Sequence, residues 1–227
     1  WKPDVGTHTV RLLPFNDNDG QPFKERYYHY GLGARGFISL RYLGKNDPIQ
    51  ELQGKLYDEG SPGSRELAKK LYPKMRAYCP VIVRDNEDAG VQLWSFSKMI
   101  YQQLLNIMLD PDYGDITDPV KGRDIVVEFK TSEETGRAFP MTTIRVKPNQ
   151  TPITENTKVM GVVKETQKNI TDIYSELEYD DLQKALEAWL HSENPVDDKD
   201  IADPAKAANS QAATEDVSSA FDDLFNS

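Results

Sequence analysis

Cysteine is almost missing from this chain of 227 residues. The one thiol, Cys79, has no second cysteine with which to close a disulfide, and there is no thiolate cluster for a structural zinc. Histidine is nearly as scarce. His8 and His29 fall in runs that read as strands and His191 near a helix end, positions where an imidazole more often serves structure than catalysis. No stretch approaches the roughly 18 apolar residues of a membrane-spanning helix, and no leader segment is recognisable, so a soluble cytoplasmic protein is expected. The chain starts at Trp1 rather than Met, from which a missing upstream segment is expected. The common catalytic signatures are lacking too: no phosphate loop ending in Gly-Lys-Ser/Thr, no Gly-x-Ser-x-Gly, no His-Glu-x-x-His. Asp110, Asp112 and Asp115 crowd together without the spacing of an EF-hand loop. Neither an enzyme nor a bound cofactor is expected.

What is present is a division of charge. Residues 1–150 hold 21 basic and 20 acidic side chains, and residues 151–227 hold 6 and 17, so the two parts carry +1 and −11 of the net −10. The acidity of the whole therefore says little about what the body binds. From Lys24 to Arg84 there are 12 basic and 6 acidic residues, interleaved with Tyr27, Tyr28, Tyr30, Phe37, Tyr42, Tyr57, Tyr72 and Tyr78.

The body reads as short strands between turn signals, mainly β with helices. Strands are expected at Thr7–Leu13, Arg26–Tyr30 and Gly36–Leu43, and helices at Pro48–Tyr57 and Ser64–Tyr72 from the spacing of Leu52, Leu56, Leu67 and Leu71. A hairpin joins Tyr78–Val83 to Val91–Phe96, a helix covers Lys98–Leu109, and a second hairpin joins Ile125–Lys130 to Met141–Val146. The order fits an α+β protein built on an OB-fold, a small Greek-key barrel with helical insertions. Beyond Pro148 the pattern predicts polar helices at Thr157–Tyr174 and Tyr179–Ser192. The division expected is a core over 1–150, a helical segment packing on it over 151–192, and a disordered acidic tail over 193–227.

Single-strand binding needs aromatic faces for stacking and cations for phosphates. The candidates are Arg11, Arg35, Phe37, Arg41, Lys69, Lys70, Lys74, Arg76, Tyr78, Trp94, Arg137 and Phe139. In the tail, Asp216, Asp222 and Asp223 with Phe221, Leu224 and Phe225 combine acid with apolar anchors, a pattern suited to recruiting partner proteins. The same tail is expected to fold back on a basic groove and compete with phosphates. Two other readings stay open: an interaction or structural module whose aromatics are all core, and a nuclease, which would need carboxylates clustered around a metal.

Several of these stretches resemble one family in shared order. Trp1-Lys2 followed by Thr9-Val10-Arg11-Leu12-Leu13-Pro14 is similar to the start of the core of the T-even-type bacteriophage single-stranded DNA-binding proteins, the helix-destabilising proteins of phage replication. Val81–Asp85, Val91–Lys98 with Ile100, and Asp115–Pro119 before Ile125-Val126-Val127 resemble later parts, and the Asp/Ser-rich tail is similar in kind. The resemblance implies an OB core, cooperative coating of single strands, self-association on DNA, and a tail that contacts a polymerase, a helicase loader and a recombinase mediator. It implies roles in replication, recombination and repair in an infected bacterial cell. By position, Arg11 would touch the DNA backbone, Trp94 and Phe37 would face bases, and Lys69, Lys70 and Arg76 would fall in a basic segment. The family's zinc subdomain, built on one His and three Cys, has no matching ligands here, so helices are expected in its place. The family's basic amino-terminal arm would precede Trp1.

Overall fold

A computed structural model describes residues 1–32, 36–155, 163, 165, 167–191 and 220–225. The protein is a mixed α+β structure with an open antiparallel sheet of seven strands and several helices. The chain divides into two units, each made of separated stretches: Trp1–Glu25 with Met75–Ile173, and Arg26–Lys74 with Tyr174–Ser227. The sequence reading expected contiguous divisions instead.

The first unit is built on β1 (Gly6–Leu12), β4 (Lys74–Val83), β5 (Gln92–Ser97), β6 (Arg123–Lys130) and β7 (Met141–Gln150). Their order is β5-β4-β1-β6-β7, with Val10 opposite both Val83 and Ile125, and Cys79 opposite Trp94. Alternation fixes the core: Val10 and Leu12, Cys79 and Val81, Trp94 and Phe96, Ile125 and Val127 share one packed cluster. Helix α3 (Lys98–Leu109), at the predicted bounds, adds Ile100 and Leu104. The β4–β5 connection is a 3₁₀ stretch, Arg84–Ala89, rather than a simple turn. The β6–β7 hairpin carries a short helix, α4 (Ser132–Thr135), whose Thr131 and Glu134 form a capping box.

The second unit contains β3 (Phe37–Ile38), paired with β2 (Lys24–His29), then α1 (Pro48–Glu59) and α2 (Pro62–Leu71). Both helices open on a capping side chain followed by proline. Asp47 accepts from the Ile49 and Gln50 amides, and Ser61 from the Ser64 amide. Their apolar faces, Ile49, Leu52, Leu56, Leu67 and Leu71, meet Leu182 and Leu186 of α5 (Tyr179–His191). The strand expected over Gly36–Leu43 is a correction. Only Phe37–Ile38 pair, because a 3₁₀ turn over Leu40–Leu43 follows, and the Ser39 hydroxyl donates to Asp47 at 2.7 Å.

The helix predicted at Thr157–Tyr174 lies mostly outside the described residues; its described end is a 3₁₀ turn at Ile170–Ile173. The tail is corrected where it is described. Residues 220–225 are helical and Phe221 is buried, because its ring finds an apolar cluster, so the disorder expected over 193–227 does not hold for them. No helix among the described residues is long and apolar enough to cross a membrane.

Candidate nucleic-acid interface

Strand β2 and the 3₁₀ turn after β3 bring two tyrosines face to face. The Tyr27 and Tyr42 rings stack with centroids 3.6 Å apart and planes 7° from parallel. Tyr72, just past the end of α2, hydrogen-bonds through its side chain to Tyr42. Partial burial first, then the Tyr72 hydroxyl, raises the Tyr42 phenol above its ordinary value, against an opposing pull from Arg41. Both Tyr42 and Tyr72 stay accessible, at 48% and 58% exposed.

Cations flank these tyrosines in sequence: Arg41 precedes Tyr42, and Lys69, Lys70 and Lys74 lie within three residues of Tyr72. Lys69 and Lys70 occupy the last turn of α2, where positive charge complements the helix dipole. Tyr72 and Lys74 are exposed on either side of buried Pro73, and Arg41 is exposed beside Tyr42. Arg41, Lys69, Lys70 and Lys74 form no ion pair among the described residues. Accessible phenol rings bordered by uncommitted cations can stack bases and neutralise phosphates.

Four predicted residues, Arg41, Lys69, Lys70 and Lys74, thus fall at this patch. Phe37 is half-buried against the apolar cluster of the second unit. In the first unit, Arg137 is exposed and Phe139 is 79% exposed in the β6–β7 connection, while Arg76 is half-buried on β4 opposite Ser97. Arg35 and Asp216 lie outside the described residues.

Three predicted contacts are corrected by burial. Trp94 is 1% exposed, its ring 4.6 Å from Phe96 and 5.7 Å from Trp1, because strand alternation turns it to the core face. Tyr78 is buried on β4. Arg11 is fully buried: its Nε donates to Asp124 Oδ1 at 3.0 Å and an Nη to the Thr151 carbonyl at 2.8 Å. Burial lowers the Arg11 guanidinium from its ordinary value, and Asp124 opposes that shift. Arg84 holds the same carboxylate at 2.9 Å and the Pro152 and Ile153 carbonyls at 2.9 and 2.7 Å. These arginines fasten the chain after β7 rather than a ligand. A recess of about 330 Å³ beside them is lined by Arg84, Glu87, Asp124, Thr151, Pro152 and Glu155, and its cation is already compensated.

The tail anchors also have a place. Phe221 is buried against α1, α2 and α5, Phe225 is partly buried beside it, and Asp223 meets Lys55 at 3.3 Å. The described end of the tail therefore meets an apolar cluster and one lysine. Leu224 stays accessible.

Other titratable side chains are held by their neighbours. His29 is buried, with Nδ1 at 2.8 Å from the Leu71 carbonyl and Nε2 at 3.1 Å from Asp47 Oδ2. The ring thus ties the end of α2 to the residue that caps α1. Asp47 is the shared acceptor of Ser39 and His29, which is not the order of a nucleophile activated by a histidine. Cys79 is buried and its thiol is pushed up by burial, against a hydrogen bond with Leu13. Asp110 and Asp115 accept from the Asp112 and Thr117 amides, as turn caps do. Among the described residues no three His, Cys, Asp or Glu side chains gather as a metal-holding group.

Sequence reasoning passed over Tyr42 and Tyr72. Their signal was alternation: exposed Tyr72 and Lys74 flank Pro73, and Tyr42 follows buried Leu40 by two residues. No family model matches this chain, and no curated protein matches it at a significant level.

Proposed function

We propose that the protein binds single-stranded DNA with little sequence preference, acting by binding rather than by chemistry. The observation that carries this reading is the patch of the second unit, where accessible Tyr42 and Tyr72 stand among uncommitted Arg41, Lys69, Lys70 and Lys74. The resemblance to the phage helix-destabilising proteins extends the proposal to DNA replication, recombination and repair in the cytoplasm of an infected bacterial cell. It also supplies the finer architecture proposed, an OB-type barrel with helical insertions, and a tail that recruits replication and recombination proteins. No zinc or other cofactor enters this reading.

Fluorescence anisotropy of labelled oligothymidylate tests it. Four cations on phosphates give an affinity that falls with salt at a log–log slope of about −2 to −3. A duplex of the same sequence should bind far more weakly, since its bases are not free to stack. Equal affinity for the two overturns the proposal. Tryptophan quenching is the poorer readout, because Trp94 lies in the core.

The burial of Arg11, Tyr78 and Trp94 favours a second reading, a protein-interaction or structural module of a phage whose aromatics are mostly core. That reading expects no saturable binding of oligonucleotide at any salt concentration.

A further inference from the structure

The helical turn at the end of the tail is seated like a ligand on a receptor. Ala220 and Phe221 are buried among Leu52, Leu56, Leu67, Leu182 and Leu186. Phe225, one turn further along, lies 4.8 Å from the Phe221 ring and 6.4 Å from Tyr179 between centroids. The Tyr179 hydroxyl donates to Glu51 at 2.6 Å, which ties that wall of the groove to α1. Lys55 sets the register of the turn. Its ammonium donates to the Ala220 carbonyl at 3.2 Å and pairs with Asp223 at 3.3 Å. On α1, Leu52, Lys55 and Leu56 share one face, so two apolar contacts and one cation read a Phe-x-Asp-x-Phe turn.

We propose that this groove is a docking site for an acidic helical turn with two phenylalanines four residues apart, and that the tail of a second copy of this chain occupies it by exchange. Exchange reproduces every contact of the internally docked tail, so its cost lies in lost effective concentration rather than in lost contacts. The segment 192–219 can span up to roughly 95 Å at about 3.4 Å per residue, enough to reach a neighbouring copy. The occupant is chosen by charge and pattern: the groove presents Lys55, and residues 220–225 supply both its apolar anchors and its counter-charge. The inference holds whether or not the protein binds DNA.

A charge swap between full-length chains tests it. In Lys55→Glu each groove faces its own Asp223 with like charge, and in Asp223→Lys the tail lysine opposes Lys55. When the two variants are mixed, only exchange between copies sets the introduced glutamate against the introduced lysine and the native Lys55 against the native Asp223. Light scattering on a sizing column at low salt should show dimer in the mixture, with an association constant on the order of tenfold above either variant alone. High salt should erase the difference. Circular dichroism melts establish that each variant is folded. As a second measurement, a labelled peptide of residues 212–227 should bind full-length Phe221→Ala/Phe225→Ala, whose groove is vacated, and bind the unaltered chain several-fold more weakly. A mixture no more dimeric than its parts overturns exchange between copies even where the peptide binds. A peptide that fails to bind the folded double variant overturns the groove itself.

Discussion

At the scale of single residues, the second unit depends on a buried polar knot at Asp47. Its carboxylate caps α1 through the Ile49 and Gln50 amides while bonding to the Ser39 hydroxyl and the His29 ring. Burial would raise this carboxyl, yet the bonds from His29, Ser39 and Gln50 and the charge of His29 leave it below its ordinary value. Its contribution to stability is therefore full above the unfolded carboxylate range and disappears as pH falls through the lower folded-state value. Asp47→Ala removes the cap and leaves the buried Ser39 and His29 side chains without their shared partner, at a cost of about 3 kcal/mol. Urea melts at pH 7 should show that loss, and the difference from the unaltered protein should shrink in acid. A variant as stable as the parent at pH 7 would remove the knot from the account.

At the scale of elements, the end of α2 and the 3₁₀ turn at Leu40–Leu43 carry the proposed DNA contacts. Lys69→Gln with Lys70→Gln should flatten the salt slope of oligonucleotide binding by about 1 or more. Tyr42→Ala and Tyr72→Ala should each cost about 1–3 kcal/mol at every salt concentration, with Tyr42→Phe close to neutral because stacking survives. Unchanged affinity in both tyrosine variants would move the interface elsewhere. These elements differ in how well the sequence reveals them. Helices α1, α2 and α3 are plain because leucine spacing, capping residues and proline all agree. Burial of Arg11 and Trp94 is not, because an arginine between Val10 and Leu12 looks exposed until Asp124 and Thr151 cover it from far along the chain. An aromatic strand residue, likewise, gives no sign of which face is packed. The seating of Phe221 depends on three helices distant in sequence, so local pattern shows only an apolar anchor, not its pocket.

At the scale of the whole molecule, charge is unevenly spread: residues 151–227 carry −11 and residues 1–150 carry +1. An acidic segment tethered to a basic patch competes with phosphates, and salt screens that competition. Deleting residues 212–227 should therefore tighten oligonucleotide binding several-fold at low ionic strength and leave it unchanged at high. Asp222→Asn with Asp223→Asn, which retains Phe221 in its pocket, separates the charge effect from uncovering of the apolar cluster. If neither change alters affinity at low salt, the tail has no hold over the DNA site.

The division of each unit into separated stretches has a consequence on the ribosome. Arg26–Lys74 leaves the exit tunnel with Leu52, Leu56, Leu67 and Leu71 uncovered, and their partners Leu182 and Leu186 follow more than a hundred residues later. At about 5–20 residues per second, that sticky surface stays bare for several seconds or more. Nascent chains stalled before Tyr179 are thus natural clients for a chaperone, and those stalled after His191 has left the tunnel are poorer ones.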